Sequence, residues 1–356
     1  MPRPDVPAST ARNQGPFDAI HGDMLRHFQD LVLAMGGDAD ALFQQVGISS
    51  GHAPQGRQRA SYRQFVSLLE LAAAELDCPD FGMQLARRQS KTAFVGPLGD
   101  GMRNSRSFGE ALRFVCSHSY AHSLAAWIWL RPSLSGESTV VGHDILLEGQ
   151  PHKAQAMEYI LLVGNLATLD LTQGRVRARR VLFRHQPIST VKSYRRQFGC
   201  EVRFGRSADA VIYDNHDLAC PISEPDAQAW QQAATKLETR FVERKPPLYA
   251  DVRGVISHLL GAEACDREHV SAALGLHPRT MLRRLADEGT SFQRIKDEVR
   301  RDRMLYYLHQ TGLDFTAISE RLGFAEQAVM TRSCRKWFGA SPSALRQASR
   351  SIASTA

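Results

Sequence analysis

The clearest candidate chemistry in this chain is a pair of arginines that recur at matching places in a repeat. The stretch Val270-Ser-Ala-Ala-Leu-Gly-Leu returns 48 positions later as Ile318-Ser-Glu-Arg-Leu-Gly-Phe. Beyond the glycine the offset grows to 49, which aligns Met281 with Met330 and Arg283 with Arg332. It reaches 50 where Gly289-Thr-Ser-Phe meets Gly339-Ala-Ser-Pro. A guanidinium is a planar fork of donors that suits the two acceptors on a guanine edge, or a phosphate. A single arginine carries little weight. Two in register imply duplicated supersecondary units, each offering the same contact.

The repeat also predicts the elements that carry these side chains. In each unit a β-branched residue and a leucine four apart (Val270 and Leu274, Ile318 and Leu322) share one face of a short helix. The next glycine supplies a tight turn, and the small Ser271 or Ser319 lets a second helix approach closely, as in a helix-turn-helix. Second helices are expected over 278–288 and 326–338, with Pro278 in a first turn and Gly289 and Gly339 as C-terminal caps. On the first, Met281 and Leu285 point to the core, while Arg279, Leu282 and Arg283 face out. On the later one Met330 and Cys334 take the core positions, and Gln327, Ala328, Thr331 and Arg332 face out. Thr280, Arg284 and Arg335 complete the candidate DNA-contacting set. Between the units, Ser291 is expected to cap one helix running to Gln310, with Phe292, Ile295, Val299, Leu305 and Leu308 at helical spacing. Twenty helical residues span roughly 30 Å. Successive major-groove faces on one side of B-DNA lie roughly 34 Å apart.

Charge follows the same geography. The net charge is +7, and residues 251–350 hold 16 Lys+Arg against 12 Asp+Glu, more than half of that excess in under a third of the chain. Such a balance is compatible with nucleic acid and proves little alone. Upstream, His21 to Leu130 reads as helical. Phe65, Leu68, Leu69, Ala72 and Leu76 line one helix face, Phe94–Gly101 reads as a turn, and a helix over Phe108–Trp129 starts with Ser107 and Glu110 as a capping box. Four β-branched segments follow, Thr139-Val-Val, Val181-Leu-Phe, Val202-Arg-Phe and Ala210-Val-Ile-Tyr, flanking a helix over Ala154–Leu171. Lys245-Pro-Pro reads as a linker.

Other constellations carry less. His118 and His122 stand four apart, expected on one helix, but no third ligand completes a metal site. Arg175-Val-Arg-Ala-Arg-Arg-Val offers an anion-binding surface or, the simpler reading, the solvated face of an edge strand, where charge blocks aggregation. Asp144 and Glu148 are an acidic pair without a catalytic partner. Trp127, Trp129, Phe114 and Tyr120, expected on an apolar helix, could line an effector cavity, with core packing the simpler reading. The six cysteines form no CxxC pair and read as buried thiols of a reducing cytosol. No P-loop, dinucleotide fingerprint or nucleophile elbow is present, so no cofactor, no metal and no enzyme activity are expected. No stretch approaches a membrane span, and the N-terminus lacks a signal-peptide core, which points to a cytoplasmic protein.

Residues Val270 to Arg346 resemble the C-terminal domain of AraC/XylS-type transcription regulators. The motifs are Leu-Gly-Leu-His-Pro-Arg-Thr-Met-Leu-Arg-Arg-Leu, then Ile-Ser-Glu-Arg-Leu-Gly-Phe, then Arg-Lys-Trp-Phe-Gly-Ala-Ser-Pro-Ser-Ala-Leu-Arg. The resemblance implies a seven-helix domain with recognition helices at 278–288 and 326–338. It assigns DNA contacts to Arg279, Leu282 and Arg283 and to Gln327, Ala328 and Arg332. The family usually has phenylalanine where Met330 and Cys334 stand, and alanine where Ser271 and Ser319 stand. The first 230 residues resemble an arabinose-binding-type N-terminal sensing region, through Phe81-Gly-Met-Gln-Leu, Gly96-Pro-Leu-Gly, Phe108-Gly-Glu-Ala-Leu and Tyr194-Arg-Arg-Gln-Phe-Gly. That label does not imply arabinose as ligand.

The expected architecture is therefore an α+β N-terminal sensing region, helical with a small mixed α/β unit, followed by an all-α seven-helix domain with two helix-turn-helix units. The expected boundaries are a disordered tail over 1–16, an effector-sensing and dimerisation domain over 17–235, a linker over 236–250 and the DNA-binding domain over 251–350. The expected function is a sequence-specific transcription regulator responsive to a small-molecule effector. The resemblance implies a homodimer that activates by recruiting RNA polymerase at promoter DNA, with repression as the alternative. The competing readings are a DNA-modifying enzyme with a helix-turn-helix appendage, which would need a reactive Cys78 or Cys116, and an architectural DNA binder.

Overall fold

The computed structural model describes residues 18–353, apart from position 21 and the stretches 49–59, 90–95, 134–135, 148–149, 151, 207, 223, 241–247 and 262–264. The tail expected over 1–16, Glu148 and Lys245-Pro-Pro lie outside the described residues.

Helices open the chain where capping signals are strong. After α1 (Phe28–Ala34), α2 (Ala39–Gln45) starts at Asp38, whose carboxylate accepts from the Asp40 and Ala41 amides. Helix α3 (Tyr62–Glu75) starts with a capping box in which Ser61 and Gln64 each satisfy the other's amide. It buries Phe65, Leu68, Leu69 and Ala72, the face its periodicity predicts. Next come α4 (Phe81–Gln89), α5 (Pro97–Arg103) and α6 (Phe108–Ser117). Residues 97–101, expected within a turn, form a helix with Pro97 in its first turn. A Cβ at Gly101 would come within 2.0 Å of the Phe114 ring, so this glycine serves close helix packing.

Two further expectations fail around α6. The helix ends at Ser117, and after a short 3-10 turn the chain enters strand β1 (Ala126–Pro132). His118 and His122 therefore share no helix, and Trp127 and Trp129 are strand residues. Pairing along the whole of β1 with β2 (Ser138–Ile145) supplies hydrogen bonds that a continued helix would forgo. Ser107 does accept from the Glu110 amide, but the Glu110 carboxylate turns to the Arg106 amide and guanidinium and leaves the box half closed.

The remaining strands, β3 (Arg180–Leu182), β4 (Glu201–Arg203) and β5 (Ala210–Asp214), fall on the segments read as β. The sheet order is β1-β2-β5-β3-β4, with β3 and β4 parallel and the other pairs antiparallel. Strand β3 is thus interior, so the arginines before it do not decorate an edge. Arg179 pairs with Asp214 at 2.9 Å and Arg180 with Glu201 at 2.7 Å. Helix α7 (Ala154–Leu171) is apolar nearly all round and buried against α3 and α4, as suits a core helix. A Cβ at Gly82 would meet the Gln155 carbonyl oxygen at 2.2 Å, which fixes how closely α4 and α7 approach.

Helices α8 (Val191–Phe198) and α9 (Ala227–Arg240) complete the N-terminal α/β region. Seven helices follow among the described residues. They are α10 (Leu248–Leu259), α11 (Arg267–Ala273), α12 (Pro278–Asp287), α13 (Phe292–Gln310), α14 (Phe315–Arg321), α15 (Gln327–Phe338) and α16 (Pro342–Ala353). No helix among the described residues is long and apolar enough to cross a membrane.

Candidate nucleic-acid interface

The two helix pairs α11–α12 and α14–α15 are built alike. Val270 and Ile318 are fully buried, Ser271 and Ser319 are buried beside them in sequence, and Gly275 and Gly323 take φ of 64° and 62°. That left-handed backbone is what lets each chain reverse within a few residues. Asp266 caps α11 and Asp314 caps α14 by accepting from the His269 and Ala317 amides. His277 caps α12 by accepting from the Arg279 amide, and Pro278 occupies the first turn.

The second helices sort their side chains largely as their periodicity requires. Met281 and Leu285 on α12, and Met330 and Cys334 on α15, are fully buried. Arg279, Arg283 and Arg284 are exposed on α12, and Gln327, Ala328, Arg332 and Arg335 on α15. Thr280 and Thr331 are half-buried, and the Thr331 hydroxyl donates to the Gln327 carbonyl at 3.0 Å. Leu282 departs from expectation. It is half-buried and packs against the C-terminal core, because an apolar side chain at that register gains more from α12's neighbours than from water. The Gln327 amide oxygen accepts from the Thr316 hydroxyl at 3.0 Å, which ties the start of α15 to α14. The Cys334 thiol donates to the Ala340 carbonyl at 3.4 Å.

Residues that no motif singled out hold both pairs on one frame. Arg253 of α10 pairs with Asp302 of α13 at 2.6 Å. Glu288, at the end of α12, accepts from the Leu248 and Tyr249 amides and so caps α10. Arg300 of α13 donates to the Leu322 carbonyl at 2.9 Å and to the Gly323 carbonyl, with its guanidinium 4.3 Å from the Phe324 ring centre. Arg346 of α16 donates to the Leu313 carbonyl at 2.6 Å. Each link joins partners 20 or more positions apart, so no local spacing could reveal it. Helix α13, which connects the two units, starts at the Ser291 cap as expected, and its 19 residues give a length of roughly 28 Å.

This frame docks on the sheet. Tyr306 of α13 donates to the Arg184 carbonyl at 2.5 Å, and Gly254 of α10 packs against the face of Trp127 on β1. Trp127 and Tyr249 touch both the N-terminal and the C-terminal apolar cores. Behind that seam the Arg184 guanidinium bridges Asp144 at 2.7 Å and Asp209 at 3.1 Å, and Trp129 donates to Asp144 at 2.8 Å. Asp144, read from sequence as partnerless, is therefore fully paired. Burial alone would raise its carboxyl, but Arg184 and the Arg303 charge from α13 hold it below the usual range.

Comparison with known proteins places these features. Residues 36–222 match the arabinose-binding domain of AraC transcription regulator, N-terminal, and residues 270–348 match a helix-turn-helix domain. The chain is 33% identical over 325 residues to the HTH-type transcriptional regulator VirS of Mycobacterium tuberculosis, covering 91% of this chain and 95% of that one. It is 25% identical over 327 residues to the ornithine utilization regulator of Pseudomonas aeruginosa, covering 90% and 94%. A solved structure, the transcriptional regulator CdpR from Pseudomonas aeruginosa, is 20% identical with a TM-score of 0.41, covering 86% of this chain and 96% of that one.

Proposed function

Because the chain belongs to the AraC-type helix-turn-helix transcription regulators with an arabinose-binding-type N-terminal domain, we propose that it is a cytoplasmic, effector-responsive activator that reads two adjacent major grooves per monomer. The single observation that carries this reading is the duplicated exposure of arginine. Arg283 and Arg332 stand outside helices whose opposite faces, Met281 with Leu285 and Met330 with Cys334, are fully buried. Neither guanidinium has a hydrogen bond or ion pair among the described residues, so both are available to a guanine edge or a phosphate.

In this reading residues 251–350 form the DNA-binding domain and 17–235 the effector-sensing and dimerisation domain, with the end of α9 and the start of α10 reaching into the 236–250 linker between them. Arg279, Thr280, Arg284, Gln327, Ala328, Thr331 and Arg335 flank the two arginines, and Leu282 contributes packing beside its neighbours. The regulator acts as a homodimer and recruits RNA polymerase. No catalytic reaction is assigned to it. Burial pushes the Cys78 and Cys116 thiols up to about 11 and about 12, the opposite of what an alkyl-accepting nucleophile needs. The test is a titration of purified protein with DNA from its own upstream region and with scrambled DNA at about 150 mM salt, where specific binding should exceed nonspecific by roughly a thousandfold or more. Equal affinity for both would refute the proposal.

A further inference from the structure

A cleft of about 880 Å³ opens where three parts of the chain meet, namely the end of α6 with the start of β1, the C-terminal half of α9 and the first turn of α10. The residues that line it include His118, Tyr120, Trp127, Leu146, Glu238 and Asp251. That volume lies within the roughly 300–1,000 Å³ typical of small-molecule sites.

Charge decides what fits. No lysine or arginine lines the cleft among the described residues, and neither carboxylate has a hydrogen bond or ion pair there. Glu238 is exposed, while Asp251 is half-buried. Burial first, and then the nearby Glu288 charge, raise the Asp251 carboxyl to about 6. Glu288, held nearby by the α10 amides it accepts from, is itself an anion and supplies no counter-charge. His118 donates through Nδ1 to the Phe114 carbonyl at 2.8 Å, which fixes the orientation of its ring. The faces of Tyr120 and Trp127 carry negative quadrupole density that draws cations within about 6 Å.

We propose that this cleft is the effector site and that it takes a small organic cation, an amine or guanidinium on an apolar or aromatic body. The inference rests on the effector-responsive reading above and names the site and ligand class for it. The cationic head meets Glu238 and Asp251, and the body lies on Trp127 and Tyr120. Trp127 belongs to the sheet and Asp251 to the first helix of the DNA-binding frame. A ligand touching both binds one arrangement of the two regions better than another, which is the requirement for regulation.

The test uses the full chain and two probes, phenethylamine and phenylguanidine, with phenylacetate as the anion of matching size. Calorimetry should show saturable binding of both cations, and binding of phenylacetate at least about tenfold weaker. Glu238→Gln and Asp251→Asn should each weaken cation binding about tenfold or more. Glu238 is exposed, so its variant keeps the test valid even where Asp251→Asn fails to fold. No saturable binding of either cation up to about 10 mM, equal binding of phenylacetate, or full affinity in Glu238→Gln overturns the proposal. A DNA titration with and without phenethylamine separates the two readings. Variant-sensitive binding that leaves promoter affinity unmoved supports the site and overturns the effector role. Promoter affinity that responds to some other metabolite equally in wild type and variants upholds the effector reading and overturns this site.

Discussion

Replacing Gly254 with alanine probes the seam between sheet and DNA-binding frame directly. A Cβ at that position would lie 2.5 Å from Trp127 Cε3 and 2.6 Å from Cδ2. Carbon atoms rest at about 3.5–4.0 Å, so the ring or the helix must retreat by about 1 Å. The ring has little room, because Trp129 lies beside it with centroids 6.3 Å apart and both apolar cores pack against it. Overpacking of this kind costs about 1–3 kcal/mol. Alanine in a helix interior recovers about 0.8–1 kcal/mol relative to glycine. The net expectation for Gly254→Ala is a loss of about 0–2 kcal/mol, and each kcal/mol lowers the thermal midpoint by about 1–2 °C for a chain of 356 residues. A Trp127→Leu background removes the obstacle, and there the same substitution should become neutral or stabilising by up to about 1 kcal/mol. The two backgrounds should therefore differ by about 1–3 kcal/mol, measured as a double-mutant cycle of denaturant and thermal midpoints on the full chain. An identical shift in both backgrounds would refute the claim that Trp127 and Gly254 form the close contact joining the two regions.

Further outcomes follow from the interface and the buried network. Arg283→Ala and Arg332→Ala should each weaken specific DNA binding by about 1–3 kcal/mol in fluorescence anisotropy, and leave the thermal midpoint unchanged because neither side chain braces the fold. Unchanged promoter affinity in both would remove the two arginines from the interface. Arg300→Ala should behave differently, lowering promoter affinity and the midpoint together, since its guanidinium satisfies the Leu322 and Gly323 carbonyls behind the second unit. Loss of those bonds should cost about 1–3 kcal/mol, and a variant with weakened DNA binding but native stability would contradict the brace. For pH, burial pushes the His143 imidazole down to about 3, while in the unfolded chain it titrates near 6.5. The unfolded state takes up that proton first, so stability present above about 6.5 is lost progressively as pH falls toward 3. Melting curves of His143→Phe should flatten this acid-side decline without abolishing it, because burial also lowers His185; an unaltered decline would show that His143 does not drive it.

Much of this protein was legible in its sequence wherever the signal is local. Ala154–Leu171 is helical to the residue, because an apolar run of that length closes its own backbone hydrogen bonds. The helix-turn-helix units, their glycine turns and the buried faces of α12 and α15 follow from spacings of three to eight residues. Misreadings occurred where a distant partner decides the outcome. Leu124–Leu130 carries no pattern that separates helix from strand, and only β2, across a turn, makes it a strand. Gly96-Pro-Leu-Gly reads as a turn until α9 and Phe114 bury the short helix it begins. Asp144 lacked a partner in sequence because Arg184 lies 40 positions away and meets it only through sheet pairing. The cleft beside Trp127 has the same origin. Its walls come from α6, β1, α9 and α10, and their convergence depends on packing between regions, which carries no periodicity for a sequence to display.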